Sequence, residues 1–476
     1  MTHQGLLPSE ETLQAIHESA LRMLAELGIR LEHAGMRDRL AGSGCRVEGE
    51  RVFIPPELVA QTLAAIPQAF TLYGRSIEDA VEVKLGQTVC TNTGIFPNIY
   101  DFESAALRRP TLEDVRLTTR LLDALAYVPL VYVSLVDATE LAPHMVTLSD
   151  FAATLENTTK PLVGPGAASR AEADALIAMA QAVRGGDAEK LRAYPLFVPF
   201  VCSVSPLYFP EKIVEAVVAI AEAGLPLDAL SNPVMGLTAP YTLAGTVALG
   251  HAEILAMAVI AHAVAPGLPI LAQNTPSVAD MRTLSSTTGG PETGLIRQVG
   301  VAAAQHVGIP ATAHGHTSSA VMDMQAADEK SLNSLLIASA RPVILGGMGA
   351  LANVTATAYE TLVLDNERFG AMLRMLAGVQ ADEAHLAFDV VEALMRGDSA
   401  LTHPHTLQHL RSGEVWRPKL ALRQGLVGGA APSETMLDRA RAETQKLLEN
   451  HTVAPLPEAV GAELDAILSS YDRVMR

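Results

Sequence analysis

The 476-residue sequence predicts an α/β fold, a (β/α)8 TIM barrel with N-terminal and C-terminal helical additions. Three observations lead there. Short β-rich runs recur eight times, helix-length amphipathic or apolar segments fill most of the gaps, and nearly every β run starts apolar and ends in Asn, Gln, His, Ser or Gly. Strict alternation of strand and helix builds a parallel sheet buried on both faces, and eight units suit a barrel. A doubly wound open sheet satisfies the same alternation, because a linear pattern does not show closure.

In chain order the expected strands are residues 88–94 (TVCTNTG), 130–138 (LVYVSLVDA), 161–167 (PLVGPGA), 196–204 (LFVPFVCSV), 227–235 (LDALSNPVM), 269–276 (PILAQNTP), 310–318 (PATAHGHTS) and 342–350 (PVILGGMGA). Their Val, Ile and Leu content suits strands covered on both sides. Helices are expected at 111–125, 168–184, 210–224, 242–265, 292–308 and 328–340. Several open on Ser, Thr, Asp or Glu, whose side chains accept the unpaired N–H groups of a first helical turn or favour its dipole. Residues 1–87 hold a helix (SEETLQAIHESALRMLAELGI), then RVFIPPELVAQTLAAI and AFTLYGRS. Residues 88–378 form the catalytic barrel, and 379–476 add helices near 382–396, 433–451 and 457–475. No Ser/Gly-rich or charged linker separates the three parts, so the ends are expected to pack on the barrel.

Composition excludes several classes of function. The chain is 49% hydrophobic and 18% charged, enough aliphatic material for a large core and too little charge for disorder. Acidic residues outnumber basic ones 52 to 34, giving a net charge of −18. Nucleic acid and anionic membrane surfaces are therefore not expected partners. The N-terminus lacks the basic and apolar regions of a signal peptide, and the apolar helix at 242–265 carries His251, Glu253 and His262. Cys45, Cys90 and Cys202 are far apart, without a CxxC pair. A cytoplasmic, reducing location is expected.

The polar strand ends would collect at one face, where a barrel places its chemistry. In IPATAHGHTSSAVMDMQAADEK (309–330), strand geometry puts His314 and His316 on the same side. An HxH pair also begins many metal-dependent hydrolase sites, but the other strand ends offer Asn, Gln, Ser and Gly instead of further ligands. No tightly bound metal is expected. GGMGALANVT (346–355) has the position of a phosphate loop, yet glycines that widen the entrance or permit close chain approach are the favoured reading. In LTHPHTLQHLR (401–411), His403, His405 and His409 are expected to cap and pack.

Four motifs together, IHESALRMLAELGI, NPVMGLTAPYTLAGTVALGHAEIL, DMQAADEKSL and LTHPHTLQHLRSGEVWRP, resemble the trimethylamine methyltransferase family, from about residue 10 to about residue 470. The resemblance implies an α/β barrel that moves a methyl group from an amine nitrogen to the cobalt of a separate corrinoid protein. The chain contains only standard residues and is similar to the non-pyrrolysine branch, which implies quaternary amines such as glycine betaine as donors. The stretch after the seventh strand departs from the family: Ser319 and Ala320 stand where Ala-Lys is usual, and Ala327-Asp328 replaces Gly-Tyr, while Asp323, Gln325, Glu329 and Lys330 match. The tail RPKLALRQGLVGG is a loose copy of the usual one.

Cobalt(I) displacing a neutral amine from a quaternary ammonium needs positioning and water exclusion, and no general acid. The expected substrate contacts are Phe96, Tyr100, Phe200, Tyr241, Asn232, Gln273, Asn274 and Gly347, with the carboxylates of Asp323 and Glu329 as the catalytic groups beside the cation. His314, His316 or Thr317 would hold a substrate carboxylate, an imidazolium giving a charge-assisted bond. The expected cofactor is a cobalamin-type corrinoid carried by a partner protein, the substrate a small methylated amine, and the assembly a homo-oligomer. Two other functions fit the residues: a metal-dependent barrel hydrolase or lyase using His314 and His316, and a non-catalytic homologue that binds a methylamine or a corrinoid protein.

Overall fold

The computed structural model describes residues 6–423 and 433–476. Residues 424–429 of the RPKLALRQGLVGG motif lie outside them. Each of the eight expected strand runs contains an observed strand: β1 Val89–Asn92, β2 Val131–Tyr132, β3 Leu162–Gly166, β4 Phe197–Cys202, β5 Leu227–Ser231, β6 Ile270–Asn274, β7 Thr312–His314 and β8 Ile344–Met348. A helix follows each: α1 Leu112–Ala124, α2 Val146–Asn157, α3 Arg170–Val183, α4 Glu211–Ala223, α5 Leu243–Val264, α6 Pro291–His306, α7 Met324–Ser339 and α8 Tyr359–Leu376. Two of these, α2 and α8, were not among the helices expected from the sequence. The fold is α/β, with every pairing among these eight strands parallel.

Strands β2 to β6 form one sheet in sequence order, and β7, β8 and β1 form another. The gap between β6 and β7 carries a parallel bridge at Ala272 and Ala311, with the Ala272 N–H donating to Pro310 O at 2.8 Å. Between β1 and β2 a side chain replaces the ladder. Asn92 Nδ2 donates to Tyr132 O at 2.9 Å, and Tyr132 N donates to Asn92 Oδ1 at 2.8 Å. Burial on both faces explains the aliphatic strand sequences.

Local signals place the helices. Thr111 and Asp114 form a capping box that starts α1, Ser169 caps α3, Asp323 caps α7, and Pro291 opens α6. The antiparallel hairpin Ala69–Tyr73 and Ala80–Lys84 packs Leu72 and Val83 against Leu130, Val163, Val198, Leu271 and Val343. It covers the amino-terminal ends of the strands and leaves the carboxyl ends open. Helices Met436–Asn450 and Glu458–Met475 lie against α1, α8 and α3. The expected helix at 382–396 is broken at Ala387, whose left-handed backbone separates Glu383–Leu386 from Phe388–Met395. His403 caps the helix Pro404–Arg411 through Nδ1.

Among the described residues α5 is the one helix long and apolar enough to cross a membrane, and 89% of its most apolar stretch is buried inside the fold. The N-terminal helix Glu10–Arg22 lies across it, with His17 Nδ1 3.1 Å from His251 Nε2. Burial, reinforced by the neighbouring His17 and His306, pushes His251 down to about 3. An unfolded histidine takes its proton near pH 6.5, so between there and about pH 3 the unfolded chain binds the proton that the folded chain refuses. Stability from this group is present above pH 6.5 and is lost as pH falls. Urea unfolding at pH 7 and pH 5 should show wild type losing more stability on acidification than His251→Gln; equal losses would contradict this assignment.

Candidate functional site

At the carboxyl ends of the strands lies a cavity of about 240 Å³. Tyr132 and Phe200 form one wall, with stacked rings 6.0 Å apart. Gln273, His314, His316 and Arg297 form the other, and Asn232, Thr288 and Asn353 complete the rim.

Arg297 is the residue that sequence reasoning missed. It sits on α6, whose inward stripe includes Thr293, Ile296, Gly300, Val301 and Ala304. A lone arginine in register with that stripe is the signal that could have found it. Its Nε donates to Pro276 O at 3.1 Å, and Nη1 donates to His314 O at 2.6 Å and to His316 Nδ1 at 2.9 Å. Nη2 makes no hydrogen bond among the described residues, and no carboxylate lines the cavity. Burial lowers the guanidinium to about 10, so it stays charged at neutral pH. A buried cation without a counter-ion is costly unless a ligand supplies one.

Arg297 also sets the state of both histidines. A guanidinium only donates, so His316 Nδ1 accepts and the ring proton sits on Nε2, a buried donor with no partner among the described residues. Gln273 Nε2 lies 3.1 Å from His314 Nε2. With that amide donating, the His314 proton sits on Nδ1. Burial and the Arg297 charge lower His314 to about 3 and His316 well below its ordinary value. The expectation of an imidazolium is therefore corrected: both rings are neutral donors, and the positive charge belongs to Arg297. The guanidinium beside His316 also opposes a divalent cation there. No group of three or more His, Cys, Asp or Glu side chains is arranged for a metal among the described residues.

Of the residues singled out in the sequence, Phe200, Asn232, Gln273, His314 and His316 meet at this cavity. The others lie elsewhere. Asn274 turns outward and donates to Val247 O on α5 at 3.2 Å, filling the space left by Gly250 and Gly300. Phe96 is fully buried behind the wall, Tyr100 donates to Ala320 O at 2.8 Å, and Tyr241 is exposed on the loop after β5. Asp323 caps α7 and accepts from Ser319 Oγ at 2.9 Å. Glu329 accepts from Thr317 Oγ1 at 2.5 Å, Ser318 N at 2.7 Å and Gln325 Nε2 at 2.9 Å, which fixes the loop after β7. Gly347 has φ +116 and packs on the Gly315 backbone, where a side chain has no room.

Behind His316, Lys330 on α7 lies 2.5 Å from Asp365 on α8, both fully buried, and Asp365 also accepts from Gly349 N at 2.9 Å and pairs with Arg368. This ion pair ties both helices to the loop after β8. Gly346 on β8 gives the His314 ring its space, since a Cβ there would overlap Nδ1. Gly346→Ala should cost about 1–3 kcal/mol of stability through overpacking. Activity should fall further than stability explains, which parallel unfolding and turnover measurements on the variant would reveal.

This arrangement defines an α/β protein with a polar, aromatic-walled cavity at the carboxyl ends of its parallel strands. The family model described as trimethylamine methyltransferase (MTTB) matches residues 4–473. The chain is 30% identical over 467 residues to a glycine betaine methyltransferase of Desulfitobacterium hafniense (strain Y51), covering 97% of this chain and 95% of that protein. It is 29% identical over 470 residues to the trimethylamine methyltransferase MttB of Desulfitobacterium hafniense (strain DSM 10664 / DCB-2), covering 98% and 93%. Among solved structures, the Methanosarcina barkeri monomethylamine methyltransferase MtmB aligns with a TM-score of 0.54 at 12% identity, covering 98% of this chain and 88% of that one. That likeness is one of fold. The chain belongs to the trimethylamine methyltransferase family and is a methyltransferase.

Proposed function

We propose that the chain demethylates a quaternary ammonium compound that also carries a carboxylate, a betaine, and passes the methyl group to the cobalt(I) of a separate corrinoid protein. The observation that carries this reading is Arg297: a buried guanidinium whose Nη2 is unbonded, facing a cavity that no carboxylate lines, among the described residues. The substrate carboxylate supplies the missing counter-ion and accepts from Arg297 Nη2 and His316 Nε2. Its ammonium then faces Tyr132 and Phe200, whose ring faces attract a cation that cannot donate a hydrogen bond.

Cobalt(I) supplies the nucleophile, and the leaving amine is neutral. The chain's residues hold the substrate in line and keep water away. The exposed Ile95, Leu237, Tyr241, Met281 and Leu284 on the loops after β1, β5 and β6 support docking of a large partner over the cavity. The reading includes closure of the two sheets into one eight-stranded barrel, supported by the Ala272–Ala311 bridge and the Asn92 side-chain rungs. It assumes a homo-oligomer in the cytoplasm. Glycine betaine among the substrates of its relatives agrees with a betaine donor.

Calorimetric titration with glycine betaine, proline betaine, carnitine and trimethylamine tests the reading. At least one carboxylated ligand should bind, and more weakly to His316→Ala. No binding of any betaine, or unchanged affinity in that variant, would overturn it.

A further inference from the structure

Phe200 and Ile95 line a second cavity, of about 260 Å³, on the side of β2 to β4. Its chemistry is opposite to that of the first. Asp137, Asp150 and Glu172 line it, and among the described residues no Lys, Arg or His does. Asp150, on α2, is 2% exposed. Its Oδ2 lies 3.1 Å from Ser134 Oγ, whose proton is directed to Val136 O at 2.8 Å, and its Oδ1 is buried with no hydrogen-bond partner among the described residues. A buried carboxyl oxygen without a well-formed hydrogen bond offers an acceptor to a ligand N–H, and the acid lining of the cavity favours a donor that is also a cation.

We propose that this second cavity is a subsite for a protonated aliphatic amine, an ammonium bearing at least one N–H, anchored by Asp150. A quaternary ammonium has no N–H and cannot satisfy Oδ1. The binding chemistry is independent of the methyl-transfer reading.

Asp150 is faced by Asp137, Glu140 and the Ala138 N–H from the loop before α2, and it shares the cavity wall with Glu172 on α3 and the Cys202 thiol at the end of β4. Burial above all, with the charges of Asp137 and Glu140, pushes Asp150 up to about 8. The free protein therefore holds this carboxyl protonated at pH 7. When an ammonium binds, the Asp150 proton leaves for solvent, and the carboxylate accepts the ligand's N–H.

Titration of the full chain with trimethylammonium and tetramethylammonium at pH 7, in buffers of different ionisation enthalpy, tests this. The two ions differ by one methyl group and one N–H. Trimethylammonium should bind at least tenfold more tightly and release close to one proton. Asp150→Asn should remove both the preference and the release, while Asp137→Asn should weaken binding and lessen the release but keep the preference. Equal affinity for the two ions, no binding of trimethylammonium, or an unchanged preference in a folded Asp150→Asn variant would each overturn the proposal. None of these outcomes touches methyl transfer from betaines, which depends on the Arg297 cavity.

Discussion

Arg297→Gln is expected to cost betaine binding about 2 kcal/mol or more, the usual loss when one partner of a buried charge pair is removed. That corresponds to roughly a 30-fold rise in dissociation constant. A ligand without a carboxylate, such as tetramethylammonium, should lose little, because Tyr132 and Phe200 remain in place. This contrast matters because Arg297 also bonds His314 O and Pro276 O, and a general loosening of the site would weaken both ligands alike. Arg297→Lys should recover only part of the loss, since an ammonium keeps the charge without the planar fork. Equal weakening of the carboxylated and uncarboxylated ligands would mean that Arg297 only supports the wall.

The second large effect is on stability. Lys330→Met leaves Asp365 buried with Gly349 N and Arg368 as its remaining partners. Removing one member of a buried pair typically costs about 3–5 kcal/mol, and the retained Arg368 favours the lower end. The urea midpoint should therefore fall clearly. Pairing Lys330→Met with Asp365→Asn removes both charges and should recover part of it, which a double-mutant cycle resolves. A Lys330→Met chain that unfolds at the wild-type midpoint would refute the role given to this pair.

The alternation of strands and helices was legible because each strand is buried on both faces and reads as a short apolar run ended by polar residues. Two helices escaped. In α2 the polar Ser149, Asp150 and Thr154 are buried with the apolar residues, and in α8 Asp365 and Glu367 are, so neither presents a clean polar face. At the site, His314, His316, Gln273, Asn232 and Phe200 were found because strand ends point to the site by geometry alone. Asn274 shows the limit of that rule: adjacent strand residues face opposite sides, so it turns toward α5 and α6. Arg297 was missed because it comes from a helix and reaches the site across a layer that the linear pattern does not display. The histidines' protonation could not be read without it.

Methyl transfer from a betaine depends on Arg297 holding the substrate carboxylate. The most direct measurement is formation of methylcobalamin from free cob(I)alamin by the full chain, with glycine betaine, proline betaine and carnitine each compared with tetramethylammonium. Methylation is expected from at least one betaine, strongly reduced in Arg297→Gln, with far slower methylation from tetramethylammonium. Transfer that is equally fast from tetramethylammonium, or absent with every betaine, would contradict it.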